Sequence, residues 1–262
     1  MGRRSLHLTG ERPVVRGTLL DLFQSDHVAR YIMAGKLAKQ RTVLDLGCGL
    51  GYGSRYMAEV CDLVLGTDLS PEAVEQANYF QKITNLHFVV SDACALPLLQ
   101  GQFDLVVSFE VIEHLEAPRR HIAEITRVLA PNGTLLLSTP NKMSMSPYWK
   151  NPVWKWHKHE FFEDDLRHLL SDYFDDVQIL GEYVRNPKWI ARDVRAARLQ
   201  KIARILPSSV IRAVPMGLIF RVVGFSVPKA SLDEVVISAD ALRLARTFIA
   251  VCRRSKRHPK RA

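Results

Sequence analysis

Short apolar runs, rich in β-branched residues, alternate with stretches of helical pattern along most of this 262-residue chain. The runs are TVLDLG (42–47), LVLGTDL (63–69), LHFVVSD (86–92), FDLVVSF (103–109), GTLLLSTP (133–140), DVQILGEYV (176–184) and TFIAVCRR (247–254). Between them, residues 53–60, 71–83, 118–129 and 163–171 carry helical periodicity. Strands that are apolar on both faces must be covered on both faces, and a helix after each strand supplies the cover. The expected architecture is therefore α/β and doubly wound, with a mostly parallel sheet. Ser70, Pro71 and Glu72 mark a helix start by their capping and first-turn chemistry, and Pro131 with Gly133 marks a stop after Leu129.

The remaining segments divide the chain. Residues 1–40 read as an N-terminal helical cap, 41–184 and 233–254 as the core, 185–232 as a basic insert and 255–262 as a disordered basic tail. The net charge of +9 resides in the last two: residues 185–232 hold ten Lys/Arg against Asp193 alone, and residues 253–262 hold six with no acid. This distribution points to one localised basic surface rather than a uniformly basic protein. Four scattered cysteines without CxxC pairing, no apolar run of membrane-spanning length and an N-terminus without a signal-peptide pattern lead to the expectation of a reduced, cytoplasmic protein.

The first strand runs into glycines at every second position, Gly47, Gly49, Gly51 and Gly53, where side chains are absent and a ligand can lie on backbone. Asp68 ends the second strand, where a carboxylate can accept hydrogen bonds from both ribose hydroxyls. Asp92 ends the third, placed for an adenine edge. Asp45 stands inside the first strand, just before the glycines. A pyrophosphate would be repelled there, whereas an ammonium or sulfonium would be welcome. The loop also lacks the third glycine of GxGxxG, and both features argue against a nicotinamide oxidoreductase.

LDLGCGLGYG, GTDLSPEAV, SDACALP, FDLVVSFEVIEHL and LAPNGTLLLSTPN resemble the successive motifs of class I S-adenosylmethionine-dependent methyltransferases. The resemblance implies a Rossmann-like sheet of seven strands with the last antiparallel, and S-adenosylmethionine as cofactor. It also implies that Asp45 and the backbone of Gly47, Cys48, Gly49 and Gly51 hold the methionine part. Asp68 would hold the ribose and Asp92 with Ala93 the adenine, with Leu69 on the adenine face and Phe109 beside the cofactor. His27, Arg30 and Tyr31 of DHVARY would help to cover it, or simply form a packing helix.

Methyl transfer is an in-line displacement, and a hydroxyl acceptor must also lose its proton. In FEVIEHL, helical spacing would put Glu110, Glu113 and His114 on one face, and WKWHKHEFF adds His157, His159 and Glu160. Glu110, Glu113, His114 and His157 are a donor set for a divalent cation that acidifies a hydroxyl. This resembles the metal-assisted methyltransferases of ubiquinone biosynthesis and of small-RNA 2′-hydroxyl ends. Equally, His157, His114 or Glu110 serves as a metal-free catalytic group. His157-x-x-Glu160-Phe161, TGERP (9–13) and DHVARY resemble a subgroup associated with sugar-linked methylation. The expected acceptor is a hydroxyl of a small molecule or of a glycan- or lipid-linked compound. An RNA 2′-hydroxyl is the alternative, less favoured because Trp189, Phe220 and Phe225 make no evident base-stacking platform. A non-catalytic cofactor-binding scaffold is a third reading. The insert is read either as a substrate lid or dimer surface with solvated charges, or as a peripheral contact with anionic lipid.

Overall fold

A computed structural model describes residues 25–146, 151–152, 154–186 and 231–254. The sequence features at Thr9–Pro13, most of the basic insert and the basic tail lie outside these residues. The elements are helix α1 (Ser25–Ala38), strand β1 (Thr42–Leu46), α2 (Tyr52–Ala58), β2 (Leu63–Asp68), α3 (Pro71–Phe80) and β3 (Leu86–Val90). They continue with β4 (Phe103–Phe109), α4 (Pro118–Val128), β5 (Leu129–Pro140), the single turn α5 (Lys142–Met145), α6 (Glu163–Ser171), β6 (Asp176–Val184), β7 (Val235–Ser238) and β8 (Thr247–Arg253). Each of the seven apolar runs is a strand, and each of the four helical stretches contains a helix. Ser70 caps α3 as its chemistry requires, accepting from the Ala73 amide at 3.2 Å, with Pro71 in the first turn.

One eight-stranded sheet results, in the order β3-β2-β1-β4-β5-β8-β6-β7. Strands β1 to β5 are mutually parallel. The last strand, β8, slots between β5 and β6 antiparallel to both, with Ala250 opposite Leu137 on one side and Ile179 on the other. The eighth strand, β7, pairs antiparallel with β6 at the edge, and its four residues are all only half-buried. A run that short and that weakly buried carries too little pattern to be recognised in sequence.

Apolar clusters cover both faces. On one face Ile122 and Ile125 of α4 and Leu166 and Leu170 of α6 meet Leu44, Leu46, Leu135 and Leu137. On the other, Tyr31 and Ala34 of α1, Met57 of α2 and Ala77 of α3 meet Val43, Val64, Leu105 and Leu136. Fully burying one such leucine or isoleucine contributes about 1.5–3 kcal/mol. The sheet order reverses at β1, which pairs with β2 on one side and β4 on the other, and in doubly wound sheets the crevice beyond that point takes the ligand. Among the described residues no helix is long and apolar enough to cross a membrane.

Candidate active site

A cleft of about 390 Å³ opens at that crevice, lined by the β1–α2 loop, the ends of β2 and β4, and α1. In the loop, glycine serves two different purposes. Gly49 has φ +55°, a conformation that favours glycine, and a Cβ built there meets nothing within 4 Å. Its bare backbone faces open space in the cleft wall. Gly51, with φ +74°, instead packs beneath the Phe88 ring, which a Cβ would overlap. It permits helix–sheet packing and does not line the cleft.

Asp68 organises the loop from the end of β2. Its carboxylate accepts from the Gly49 amide at 3.0 Å and the Ser70 amide at 2.9 Å, while the residue stays at the cleft surface. Leu69 beside it is 71% exposed, an apolar side chain held at the cleft without a cover. Across the cleft, the Asp92 carboxylate accepts from the Cys94 amide at 2.8 Å and shapes the turn that presents Ala93. His121 holds this turn from below: Nδ1 bonds the Ala93 carbonyl at 2.9 Å and Nε2 lies 3.1 Å from Ser108 Oγ. Burial lowers its pKa to about 4, so this imidazole is neutral.

Asp45 stands one step behind the cleft rather than in it. It is fully buried, accepts from Ser54 Oγ at 2.5 Å and from Tyr31 OH at 3.3 Å, and is absent from the cleft wall. Burial is the main cause that raises its pKa to about 7. The sequence led us to expect its carboxylate at the ligand; here Tyr31, which stacks edge-on against Phe109 at 5.1 Å, lines the cleft in front of it.

The far end of the cleft is built from the turn after β4. No helix with Glu110, Glu113 and His114 on one face forms there. Glu110 has φ +54° and only Ile112–His114 form a single 3-10 turn. Glu110 turns toward Arg30, 3.0 Å away, and accepts from Ser138 Oγ at 2.7 Å. Arg30 is buried and also holds Glu182 with two bonds at 2.9 and 3.0 Å. Burial alone would lower the guanidinium's pKa, but the Glu182 and Glu110 carboxylates outweigh it and raise it.

Glu113, His114 and His157 do converge, each offering a ligand atom within 4.8 Å of the others. Glu110 is not part of this group. Glu113 is buried; Thr139 Oγ1 donates to its Oε2 at 3.2 Å, whereas Oε1 has no hydrogen-bond partner. Burial, then the neighbouring Glu110, hold its carboxyl well above the usual range. His114 Nδ1 lies 3.1 Å from the Trp156 carbonyl, which can only accept, so in the neutral ring the lone pair sits on Nε2, 3.9 Å from Glu113 Oε1. His157 Nδ1 faces Glu160 Oε1 at 3.1 Å. Of the three, His114 alone lines the cleft. The backbone carbonyl of Glu113 clamps the approaching chain by accepting from the amides of Lys158 at 2.7 Å and His159 at 3.0 Å.

A methyltransferase-domain family model matches residues 44–137. A Mycobacterium tuberculosis protein named as a probable S-adenosylmethionine-dependent methyltransferase is 32% identical over 210 residues, 80% of this chain and 74% of the relative. The chain belongs to the S-adenosylmethionine-dependent methyltransferases. This methyltransferase also matches, over 42% of its length, a rice protein named as a probable tocopherol O-methyltransferase and an ajmaline N-methyltransferase of Rauvolfia serpentina. These matches are 36% and 35% identical and span 33% and 39% of those relatives. The YcgJ protein of Bacillus subtilis shares the fold, with a TM-score of 0.55 at 16% identity over 87% of this chain and 99% of that one.

S-adenosylmethionine is the methyltransferase's cofactor, and the cleft fits it: a carboxylate at the end of β2, open backbone at Gly49 and an uncovered apolar face at Leu69. Of the residues expected at the cofactor, Gly47, Cys48, Gly49, Asp68, Leu69, Asp92, Ala93 and Phe109 line the cleft, and Asp45 and Gly51 do not. His27 and Tyr31 line it too, while Arg30 is withdrawn into the ion-pair network. The sequence reading assigned no role to Ser54, which donates to Asp45, to Tyr52, whose hydroxyl meets His27 Nδ1 at the cleft wall, or to His121. Only His121 left a signal, a polar residue on the apolar stripe of α4 beside Ile122 and Ile125.

Proposed function

We propose that this methyltransferase acts on a hydroxyl group of a small-molecule, glycan-linked or lipid-linked acceptor. The observation that carries the reading is His114, a cleft-lining imidazole whose Nδ1 is engaged by a backbone carbonyl and whose Nε2 is free to take a proton. In this reading Asp68 accepts from the ribose hydroxyls, the Gly47–Gly49 backbone receives the methionine end, Leu69 covers the adenine, and Ala93 with Asp92 meets its edge. The bound cofactor supplies an electrophilic methyl group on sulfur. Phe109 and Tyr31 would keep water from that end of the cleft, Glu110 is held by Arg30 at its wall, and His114 Nε2 would receive the acceptor's proton as the O–C bond forms and the sulfur–methyl bond breaks, the cofactor leaving as a neutral thioether.

The test is incubation of the purified enzyme with methyl-labelled S-adenosylmethionine and fractionated cell extract. Label is expected in small-molecule, lipid or glycan pools as an alkali-stable ether, and His114→Gln is expected to lower transfer about 100-fold or more. Label on nitrogen or carbon, or unchanged turnover by His114→Gln, overturns the reading.

A second reading rests on Glu113 Oε1, a buried oxygen without a partner beside two imidazoles. Glu113, His114 and His157 fit a divalent cation, with Glu160 and the Trp156 carbonyl orienting the two rings. Such an ion would polarise the acceptor hydroxyl, and an RNA 2′-hydroxyl is the alternative acceptor in that case. Calorimetric titration with Zn²⁺, Mn²⁺ and Mg²⁺ tests it: saturable binding that Glu113→Gln abolishes supports the ion, and no heat at millimolar metal rejects it.

A further inference from the structure

The connection from β5 to α6 carries a composition that the methyl-transfer chemistry does not require. Residues 141–159 hold three of the chain's four tryptophans, Trp149, Trp154 and Trp156, together with Lys142, Lys150, Lys155 and Lys158, and no Asp or Glu. Large apolar side chains on a loop are normally turned inward. Here Trp154 is 40% exposed and Trp156 38%, and on α5 Met143 is 58% exposed. Lys155 Nζ sits 4.3 Å from the centre of the Trp156 ring, and Lys142 Nζ lies 5.5 Å over the Phe162 ring. Lys158 is already paired, with Glu116 at 2.9 Å.

Exposed indole rings alternating with lysines are the chemistry of the lipid–water boundary. The ring sits among the headgroups with its N–H toward water, and the ammonium meets phosphate. The position of this surface matters as much as its composition. Trp156 is the residue whose carbonyl holds His114, so the exposed ring and the acceptor end of the cleft belong to one short strap. That strap is itself pinned by the Lys158 and His159 amides on the Glu113 carbonyl, and by Glu160 between His157 and Ser146.

We propose that Trp154, Lys155 and Trp156 form a docking surface for an anionic lipid interface, which presents a membrane-anchored acceptor's headgroup to the His114 end of the cleft. This choice of partner rests on the hydroxyl-acceptor reading, but the docking itself does not depend on turnover. It adds the strap beside the active site to the lipid contact expected of the basic insert.

The experiment uses the full chain with vesicles of phosphatidylcholine alone or mixed equally with phosphatidylglycerol, at physiological salt and without any acceptor. Co-sedimentation is expected to favour the anionic vesicles by roughly tenfold or more, and acyl-brominated lipid is expected to quench the protein's tryptophan fluorescence. Trp154→Ala with Trp156→Ala is expected to weaken partition by about tenfold, and Lys155→Glu to weaken only the anionic preference. Circular dichroism and S-adenosylmethionine binding of the variants confirm that they fold. No partition of the wild type, or equal partition of the double tryptophan variant, overturns the proposal; the second result would assign vesicle binding to other basic segments. Quenching by free oligosaccharide with no response to vesicles also overturns it and marks a soluble glycan partner. Methyl transfer to a hydroxyl without vesicle binding leaves the functional reading standing and removes this one.

Discussion

At the scale of single residues, the glycine loop separates ligand approach from packing. Gly49→Ala adds a side chain into open cleft at a positive φ, at a strain of about 1–2 kcal/mol. It is expected to weaken S-adenosylmethionine binding by calorimetry while the fold survives. Gly51→Ala drives its methyl into Phe88, and its main expected effect is a lowered thermal midpoint of the free enzyme. Asp45 gives a prediction in pH. Its folded pKa, near 7 mainly through burial, lies above the ordinary value of 3.8, so the native state binds the proton more tightly than the unfolded chain. Its contribution to stability is thus fully present below about pH 4 and is lost as pH rises toward 7. Asp45→Asn keeps one acceptor oxygen for Ser54 and Tyr31 without the charge. Thermal melts should show it gaining on the wild type from pH 5 to pH 8, by at most about 4 kcal/mol, with no gain at pH 4.

At the scale of elements, helix α1 is fastened to the sheet by charge inside an apolar interface. Arg30 reaches Glu182 on β6 and, at the end of β4, Glu110, with Asp26 of its own helix 3.7 Å away. Removing the cation alone strands buried carboxylates. Arg30→Ala is expected to cost about 3–5 kcal/mol in denaturant unfolding, and Arg30→Leu combined with Glu182→Leu should recover much of that loss. The same helix carries His27 and Tyr31 into the cleft wall, so Arg30→Ala should weaken cofactor binding as well. Element existence was legible because each strand is a continuous apolar run and each helix keeps its stripe. The turn after β4 was not. FEVIEHL has helical spacing, yet Glu110 adopts a left-handed conformation because Arg30 and Ser138, distant in sequence, hold its carboxylate.

At the scale of the whole molecule, binding and stability are linked, since the cleft exists only in the folded chain. With S-adenosylmethionine at about 100 times its dissociation constant, stability should rise by about 2.7 kcal/mol, read as an upward shift of the thermal midpoint. Asp68→Ala removes the carboxylate that fixes Gly49 and that we assign to the ribose hydroxyls, and should abolish most of that shift. The sequence by itself determined the doubly wound sheet, the cleft at its order reversal and most of the residues that line it, because strand periodicity and strand-end position are local properties of the chain. Tertiary structure alone decided that Asp45 stands behind Tyr31, that Glu110 leaves the Glu113–His114–His157 group, and that a strap from beyond β5 orients His114. Those outcomes depend on which charges and hydroxyls meet across α1, β4, β5 and β6, and contacts between segments that far apart in the chain leave no periodicity to read.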